Sequence, residues 1–336
     1  MSTSLRIVGQ GLAGSLLGWA CERAGLDFEI LDAGHASASS RVGAGIINPV
    51  TGQRIVKSWR VDQLLPLAVQ TYRELELAFK EPLLFPMRIR RFCGSEREQR
   101  IAREKLSHGE LAPYVLAVEN DGFWIESAYR VDTRRLIERL RQRWAEAGRL
   151  REKRVVEDKI QYLDRRLTIW CTGAGELSST RFAFAELRAA KGEILEVTGG
   201  GLDPGIILND GHWVLPFGQG QARVGATFQP HFDGLGPTAE AREILTASAR
   251  RLIGADFTVT GQEVGIRVTT ADKHPVIGRH PQDPTHGIFN GLGSKGALLA
   301  PWLAQQWISH VLHGTALDSA VDVRRFALKD IDPTTA

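Results

Sequence analysis

Residues 1–15 constrain the fold of this chain more than any other stretch. Leu5-Arg6-Ile7-Val8 is a short apolar run. Gly9-Gln10-Gly11-Leu12-Ala13-Gly14 follows at once, and then an apolar stretch of helical character from Ser15 to Cys21. This succession reads as strand, tight glycine turn and helix. The first glycine permits the turn, the second lets backbone approach a pyrophosphate, and the third lets the helix pack close to the strand. The helix N-terminus offers N–H groups and the positive end of its dipole to phosphates. Gly25 closes the helix. Phe28-Glu29-Ile30-Leu31 reads as a second buried strand that ends on Asp32. An acid about twenty positions after the glycines is placed to accept hydrogen bonds from a ribose 2′-OH. Strand, glycines, helix, strand and acid in this order predict a dinucleotide site.

A length of 336 residues suits one large domain or two interleaved ones, and 43% apolar residues provide for a sizeable core. The net charge of +3 is too small to argue for a polyanionic partner by itself, since such surfaces carry a clustered basic face. Cys21, Cys93 and Cys171 fit neither a zinc site nor a disulfide framework. No metal site is expected, and a reduced, cytoplasmic protein is. The first strand begins too early for a cleavable signal, and no apolar run is long enough to span a membrane.

Ser37 to Pro49 is rich in small residues, which either form an ordinary loop or let backbone lie against a flat ligand. Residues 62–80 show the spacing of an amphipathic helix. Phe85 to Phe92 reads as a strand that carries Arg88, Arg90 and Arg91. Alternation puts Arg88 and Arg90 on one face, as a solvated edge or as an anion site. Residues 95–107 read as a polar helix and Gly122 to Ile125 as a short strand. A helix is expected from Arg134 to Ala147, with Asp132 as its cap and Gly148 as its stop. Arg151 to Val156 and Ile160 to Leu163 read as short strands. Leu167 to Cys171 reads as a buried strand that runs into Thr172-Gly173-Ala174-Gly175, a second close approach of backbone to a ligand or a plain turn. Residues 181–230 are β-rich, and Thr238 to Leu252 is an amphipathic helix. Near the C-terminus the strand Gly287 to Asn290 leads into Gly291-Leu292-Gly293-Ser294-Lys295-Gly296 and a long apolar helix from Ala297 to Leu312.

Strand, glycine turn and helix thus recur at both ends of the chain. The economical arrangement is an α/β domain interrupted by two excursions, which form a second domain of mainly antiparallel sheet, with the ligand between them.

The chain resembles the D-amino acid oxidase superfamily of FAD-dependent oxidoreductases along nearly its full length. The resemblance rests on the first glycine turn with Asp32, on Ser39 to Pro49, and on Val131-Asp132-Thr133-Arg134-Arg135-Leu136. It rests most specifically on Val264-Gly265-Ile266-Arg267 through Asp272, Pro275 and Gly278 to Gly291–Pro301. The tail is similar to the C-terminal oxidase domain of the bifunctional enzyme of tRNA 5-methylaminomethyl-2-thiouridine synthesis. Val268 stands where glycine and D-amino acid oxidases carry proline after the arginine.

The resemblance implies a Rossmann-like FAD-binding domain (1–60, 131–180 and 264–336) interleaved with an antiparallel-sheet substrate domain (61–130 and 181–263). It implies oxidation of a C–N bond in a small carboxylate-bearing amine or amino acid, with hydride passing to flavin N5 and water hydrolysing the imine. Arg267 would hold the substrate carboxylate as a guanidinium fork. Lys295 would stabilise negative charge on the flavin or stand solvated. His274 reads as structural. For FAD, Gly9, Gly11, Ala13 and Gly14 would meet the pyrophosphate, Asp32 the ribose, and Arg41, Gly43, Ala44 and Gly45 the pyrophosphate and isoalloxazine. Val155 or Val156 would meet adenine, followed by Thr172 and Gly173. Gly293, Ser294, Lys295, Gly296 and Ala297 would lie near the ribityl and pyrimidine end.

Alternatives share parts of this pattern. One is removal of the carboxymethyl group from a modified tRNA wobble uridine, with Arg88, Arg90, Arg91 and the basic run from Arg149 to Arg154 on the RNA backbone. Another is a flavin-binding protein without catalysis. A third is an NAD-linked dehydrogenase, which Asp32 alone allows but in which the C-terminal glycine turn has no role.

Overall fold

The computed structural model of the chain describes residues 4–34, 38–155, 166–199, 201–254 and 256–327. Val156 and the strand expected over Ile160 to Leu163 lie outside the described residues. The chain opens with β1 (Ser4–Val8), α1 (Leu12–Arg23) and β2 (Asp27–Asp32). The single turn α2 (Ser39–Val42) and three short strands, β3 (Ile46–Ile47), β4 (Val50–Thr51) and β5 (Val56–Lys57), precede α3 (Val61–Phe79). Next come β6 (Leu84–Phe92), α4 (Glu96–Ser107), β7 (Gly122–Val131), α5 (Thr133–Glu146), β8 (Leu150–Glu152) and β9 (Leu167–Trp170). A 3-10 turn over Gly173–Ser178 leads to β10 (Leu187–Gly199), β11 (Ile206–Asn209), β12 (Trp213–Gly218) and β13 (Gln221–Gly225). The chain ends with α6 (Ala239–Ile253), β14 (Phe257–Thr270), β15 (Val276–Arg279), β16 (His286–Asn290), α7 (Gly296–His313) and α8 (Arg324–Ala327).

Two compact units emerge. One comprises Met1–Gly43, Thr133–Ala190 and Ile266–Ala336, and the other Ala44–Asp132 and Lys191–Gly265. The first is built on a six-stranded sheet in the order β15-β16-β9-β1-β2-β8, parallel except for its edge strand β15. Its inner strands are buried, as parallel strands covered by helices must be. Two glycines bring helices close. A Cβ on Gly18 of α1 would lie 2.8 Å from the Trp144 ring of α5, and one on Gly287 of β16 would lie 2.6 Å from the Trp307 ring of α7. The buried Arg6 of β1 is neutralised across the sheet by Glu29, its register partner on β2, at 2.7 Å.

The second unit is built on an eight-stranded sheet in the order β14-β10-β13-β12-β11-β6-β7-β3. It is antiparallel in its described pairs apart from β11 beside β6. α6 packs Leu245 and Ala249 onto Leu195, Val197, Val214 and Val224. Thr238 caps that helix through Ala241 N–H at 3.2 Å, and its hydroxyl donates at 2.8 Å to the buried Glu193, which Lys191 also meets at 3.2 Å.

The unit boundaries differ from those expected at 60 and 180. Residues 44–60 fall with the second unit because Ile46 and Ile47 pair with Arg130 and Tyr129 of β7. Residues 181–190 fall with the first because Phe182 and Ala185 join Val8, Trp170 and Ile288 in its core. β7 continues past Ile125 to Val131, through Ser127 at φ 55°. The three arginines of β6 are all engaged by acids or amides. Arg88 chelates Glu126, Arg90 pairs with Glu119 and Asp121, and Arg91 meets Asn209 and Glu98. Arg88 and Arg90 do share a face, stacked on Trp124.

Candidate cofactor and substrate site

The parallel strands of the first unit all end at one edge of its sheet, where ligands of open α/β sheets bind. The turn after β1 is held tightly. Gly9 N–H donates to Leu31 O at 2.8 Å and Cys171 N–H to Val8 O at 2.7 Å. Gly9 has φ +97°, and a Cβ there would lie 2.6 Å from Cys171 O. A Cβ on Gly14 would overlap the carbonyl oxygen of Gly9. Gly11 faces Ser40, whose hydroxyl accepts from Leu12 N–H at 3.1 Å. The next two N–H groups of α1, on Ala13 and Gly14, hydrogen-bond to no described residue. They sit at the positive end of the helix, where an anion is favoured.

Asp32, at the end of β2, organises that turn. Its Oδ2 accepts from Gln10 N–H at 2.8 Å, and its Oδ1 accepts from Gly34 N–H and Arg141 Nη1, each at 2.8 Å. A carboxylate offers about four acceptor positions, so the described donors leave room on Oδ2. Arg141 of α5 also donates to Gln10 Oε1 at 2.9 Å and to Glu152 at the end of β8.

The remaining turns are tied to these. Gly173 O accepts from the buried Asn290 side chain at 3.0 Å, and Asn290 Oδ1 accepts from Gly291 N–H at 2.8 Å. The turn after β9 is thereby fastened to the turn after β16. Thr172 donates to the buried Glu176 at 2.6 Å. Gly291, at φ +75°, lies where a Cβ would meet Pro275 and Thr270 at 3.3 Å. Gly293 N–H donates to Val268 O at 2.8 Å, which sets the glycine turn beside Arg267 of β14. A Cβ on Gly296, the first residue of α7, would lie 3.2 Å from Leu12, the first residue of α1. The two glycine-led helix starts, at opposite ends of the sequence, are neighbours.

Arg267 and Lys295 are both half-buried, and burial pushes the pKa of each below its ordinary value. Lys295 makes no ion pair with a described carboxylate. Asp272 holds the segment between β14 and β15. It accepts from Thr270 at 2.7 Å and from His274 N–H at 3.0 Å, and Arg325 Nε donates to it at 2.8 Å. Burial works to raise the Asp272 carboxyl, but Arg325, Thr270 and the His274 N–H together hold it well below the usual carboxylate range. The stability it contributes is present above the ordinary carboxylate pKa of about 4 and lost as pH falls below that. Asp272→Asn is therefore expected to lower Tm at neutral pH and to flatten the decline of Tm in acid. Parallel Tm–pH curves for the two proteins would remove Asp272 from that role.

Other expected positions are placed as follows. Arg41 pairs with Glu138 of α5 at 2.9 Å. Gly43 ends α2, whereas Ala44 and Gly45 belong to the second unit, where Gly45 O accepts from Val131 N–H at 2.9 Å. Val155 packs against the core around Val8 and Trp170. Ser294 is exposed and Ala297 buried in the first turn of α7. Ser40, Arg141 and Asn290 carry the geometry without having been singled out. Ser40 sits in the small-residue stretch and Asn290 directly before a glycine turn, which are usable signals. Arg141 is one arginine among several on α5, and nothing local marks it.

Residues 5–309 match the DAO family, described as FAD dependent oxidoreductase. The chain belongs to that family. Its curated relatives include the tRNA 5-methylaminomethyl-2-thiouridine biosynthesis bifunctional protein MnmC of Maricaulis maris, 28% identical over 322 residues, covering 92% of this chain and 52% of that protein. The chain spans about half the length of the curated relatives it matches. Among solved structures, glycine oxidase from Geobacillus kaustophilus superposes with a TM-score of 0.78 at 19% identity, covering 94% of this chain and 96% of that one. Iminodiacetate oxidase (IdaA) from Chelativorans sp. BNC1 gives 0.72 at 20% identity, covering 96% and 98%. The fold is theirs, a parallel cofactor sheet and a curled antiparallel one.

The cofactor of the family is FAD, and the residues present fit it. Gly9 and Gly14 clear the turn, and the N–H groups of Ala13 and Gly14 are left for phosphate oxygens. Asp32 keeps acceptor capacity for a ribose hydroxyl. Among the described residues no group of His, Cys, Asp and Glu is arranged to hold a metal ion, and no helix is long and apolar enough to cross a membrane.

Proposed function

We propose that this chain oxidises the C–N bond of a small amine or amino acid that carries a carboxylate. The placement of Arg267 and Lys295 at one glycine turn, fixed by the Gly293–Val268 hydrogen bond, carries the reading. FAD, when bound, supplies the two-electron acceptor. Arg267 would hold the substrate carboxylate through two parallel charge-assisted hydrogen bonds. Fixing the carboxylate fixes the α-carbon beside it, and orientation is the main demand of such a reaction. Lys295 would add a positive charge, its ammonium held at Nζ in a half-buried position. No side-chain acid or base is required if the amine arrives neutral.

This role for Lys295 has a pH signature. Burial lowers its pKa, so its charge is lost on an alkaline limb below the ordinary lysine value of about 10.4. kcat/KM for carboxylate substrates should fall along that limb, and Lys295→Arg should move it upward, since arginine stays protonated. An unchanged limb in the variant would take Lys295 out of the site.

The curated relatives are named for tRNA 5-methylaminomethyl-2-thiouridine biosynthesis, and a second reading takes the carboxylate-bearing amine to be a carboxymethylaminomethyl group on a modified tRNA uridine. The arginines of β6 give that reading no support, since each is already engaged by acids or amides. Anaerobic reduction of the bound flavin separates the possibilities. Reduction by glycine, sarcosine, proline or a D-amino acid is the expected result. Reduction only by the modified tRNA or its nucleoside would establish the RNA substrate. No reduction by any amine would mean a flavin-binding protein without this catalysis.

A further inference from the structure

Three acceptors from three separate elements converge on Arg141 of α5. Its Nη1 donates to Gln10 Oε1 at 2.9 Å, in the turn after β1, and to Asp32 Oδ1 at 2.8 Å, at the end of β2. Its Nη2 donates to Glu152, at the end of β8. β1, β2 and β8 run parallel, so all three acceptors stand at the edge of the sheet where ligands of open α/β sheets bind. Every residue of this network belongs to the first unit.

The network brings like charges together. Asp32 and Glu152 are register partners on adjacent strands. Carboxylates on neighbouring strands repel each other, and the one guanidinium that both meet offsets that repulsion. Gln10 is buried, and its amide is held at both ends. Its Nε2 donates to Ile137 O at 3.0 Å, while its Oε1 accepts from Arg141. Ile137 and Arg141 stand at i and i+4 on α5, so a single helix face grips the turn. Gln10 N–H donates in turn to Asp32 Oδ2 at 2.8 Å. Arg141 therefore acts on the Asp32 carboxylate twice, directly at Oδ1 and through Gln10 at Oδ2. Gly34 N–H also donates to Oδ1, but it lies only two residues further along the same loop.

α5 has its place without this arginine. Leu136, Ile137, Leu140 and Trp144 are buried. The Trp144 ring packs edge-on against Phe28, with 5.8 Å between ring centres, and its Nε1 donates to Glu22 at 3.0 Å. Arg141 itself is only half-buried, and its donors go to the rim of the cofactor site rather than to that core.

We propose that Arg141 is a positioning residue for the cofactor. It acts through Asp32 and not on FAD itself. By fixing the plane of the carboxylate, it presents the acceptor position left on Oδ2 to a hydroxyl of the adenosine ribose.

The test uses the full chain, freed of flavin and titrated with FAD or with FAD analogues whose adenosine lacks the 2′- or the 3′-hydroxyl. Binding is read from flavin fluorescence. The parent should bind FAD roughly ten-fold or more tightly than at least one deoxy analogue, the worth of one hydrogen bond to a charged group. In Arg141→Met, which keeps the apolar stem, that ratio should fall to near one. In Arg141→Lys it should be intermediate, because an ammonium keeps the charge without the planar fork. An arginine that only supports α5 would weaken FAD and both analogues alike and leave the ratio intact. A ratio that survives in Arg141→Met, or a parent that binds all three flavins equally, overturns the proposal. Should Arg141→Met fail to fold or hold no flavin, the lysine variant decides: a lowered ratio upholds the proposal and the parent's ratio overturns it.

Discussion

Gly14→Ala should leave the chain unable to retain FAD. The added methyl group has nowhere to go, because it would overlap the carbonyl oxygen of Gly9 and approach the Cys171 side chain to 3.3 Å. Both obstacles belong to rigid structure. Gly9 is fixed to β2 through Leu31, and Cys171 to β1 through Val8. Relief requires α1 to move away from β1, which displaces the N–H groups of Ala13 and Gly14 that would meet the phosphates of FAD. Overpacking of this kind costs about 1–3 kcal/mol or more, and here the strain falls on the groups that bind the ligand. FAD affinity should drop by two orders of magnitude or more, read by flavin fluorescence after gel filtration. Gly175→Ala is the control. Gly175 is exposed, and a Cβ there would make only an ordinary contact at 3.5 Å with Thr172, so FAD should be retained. Equal retention in both variants would show that the close approach of α1 to β1 does not matter for the cofactor.

Arg267→Ala should lower kcat/KM for carboxylate-bearing amines by roughly 10²- to 10³-fold while FAD stays bound. The figure follows from two charge-assisted hydrogen bonds at about 1.5–2 kcal/mol each, with 1.4 kcal/mol per factor of ten. Arg267→Lys should recover only part of the loss, because an ammonium does not reproduce the planar fork. The loss should be confined to substrates with a carboxylate, so an amine without one should respond far less. If both kinds of substrate lose activity equally, Arg267 supports the strand rather than the substrate. Unchanged kinetics would place it outside the site altogether.

The β1–α1–β2 unit was legible because its signals are local. Apolar runs, glycine spacing and a terminal acid fall within about thirty residues, and Gly9, Gly11 and Gly14 each stand against a specific backbone or side-chain atom. The α7 turn was legible for the same reason. What the sequence did not disclose is what distant segments do to each other. Ile46 and Ile47 pair with residues of β7 more than eighty positions later, and no periodicity near 46 announces it. Gly122 to Ile125 reads as a short strand, whereas β7 passes through a left-handed Ser127 and runs on to Val131. At the site, Asp32 was read as a ribose acceptor, yet most of its capacity goes to Gln10, Gly34 and Arg141. Arg141 reaches it from α5, and its role depends on helix placement that no local pattern encodes.

The central claim is that the glycine turns at the two ends of the chain build one FAD site at which Arg267 selects amines by their carboxylate. Anaerobic flavin reduction by matched pairs tests it most directly: glycine against methylamine, and sarcosine against dimethylamine. The account predicts that the flavin bleaches with at least one carboxylate-bearing member and that its decarboxylated partner reacts at least a hundred-fold more slowly. Equal bleaching by both members of every reactive pair, or a flavin that no amine reduces, would contradict it.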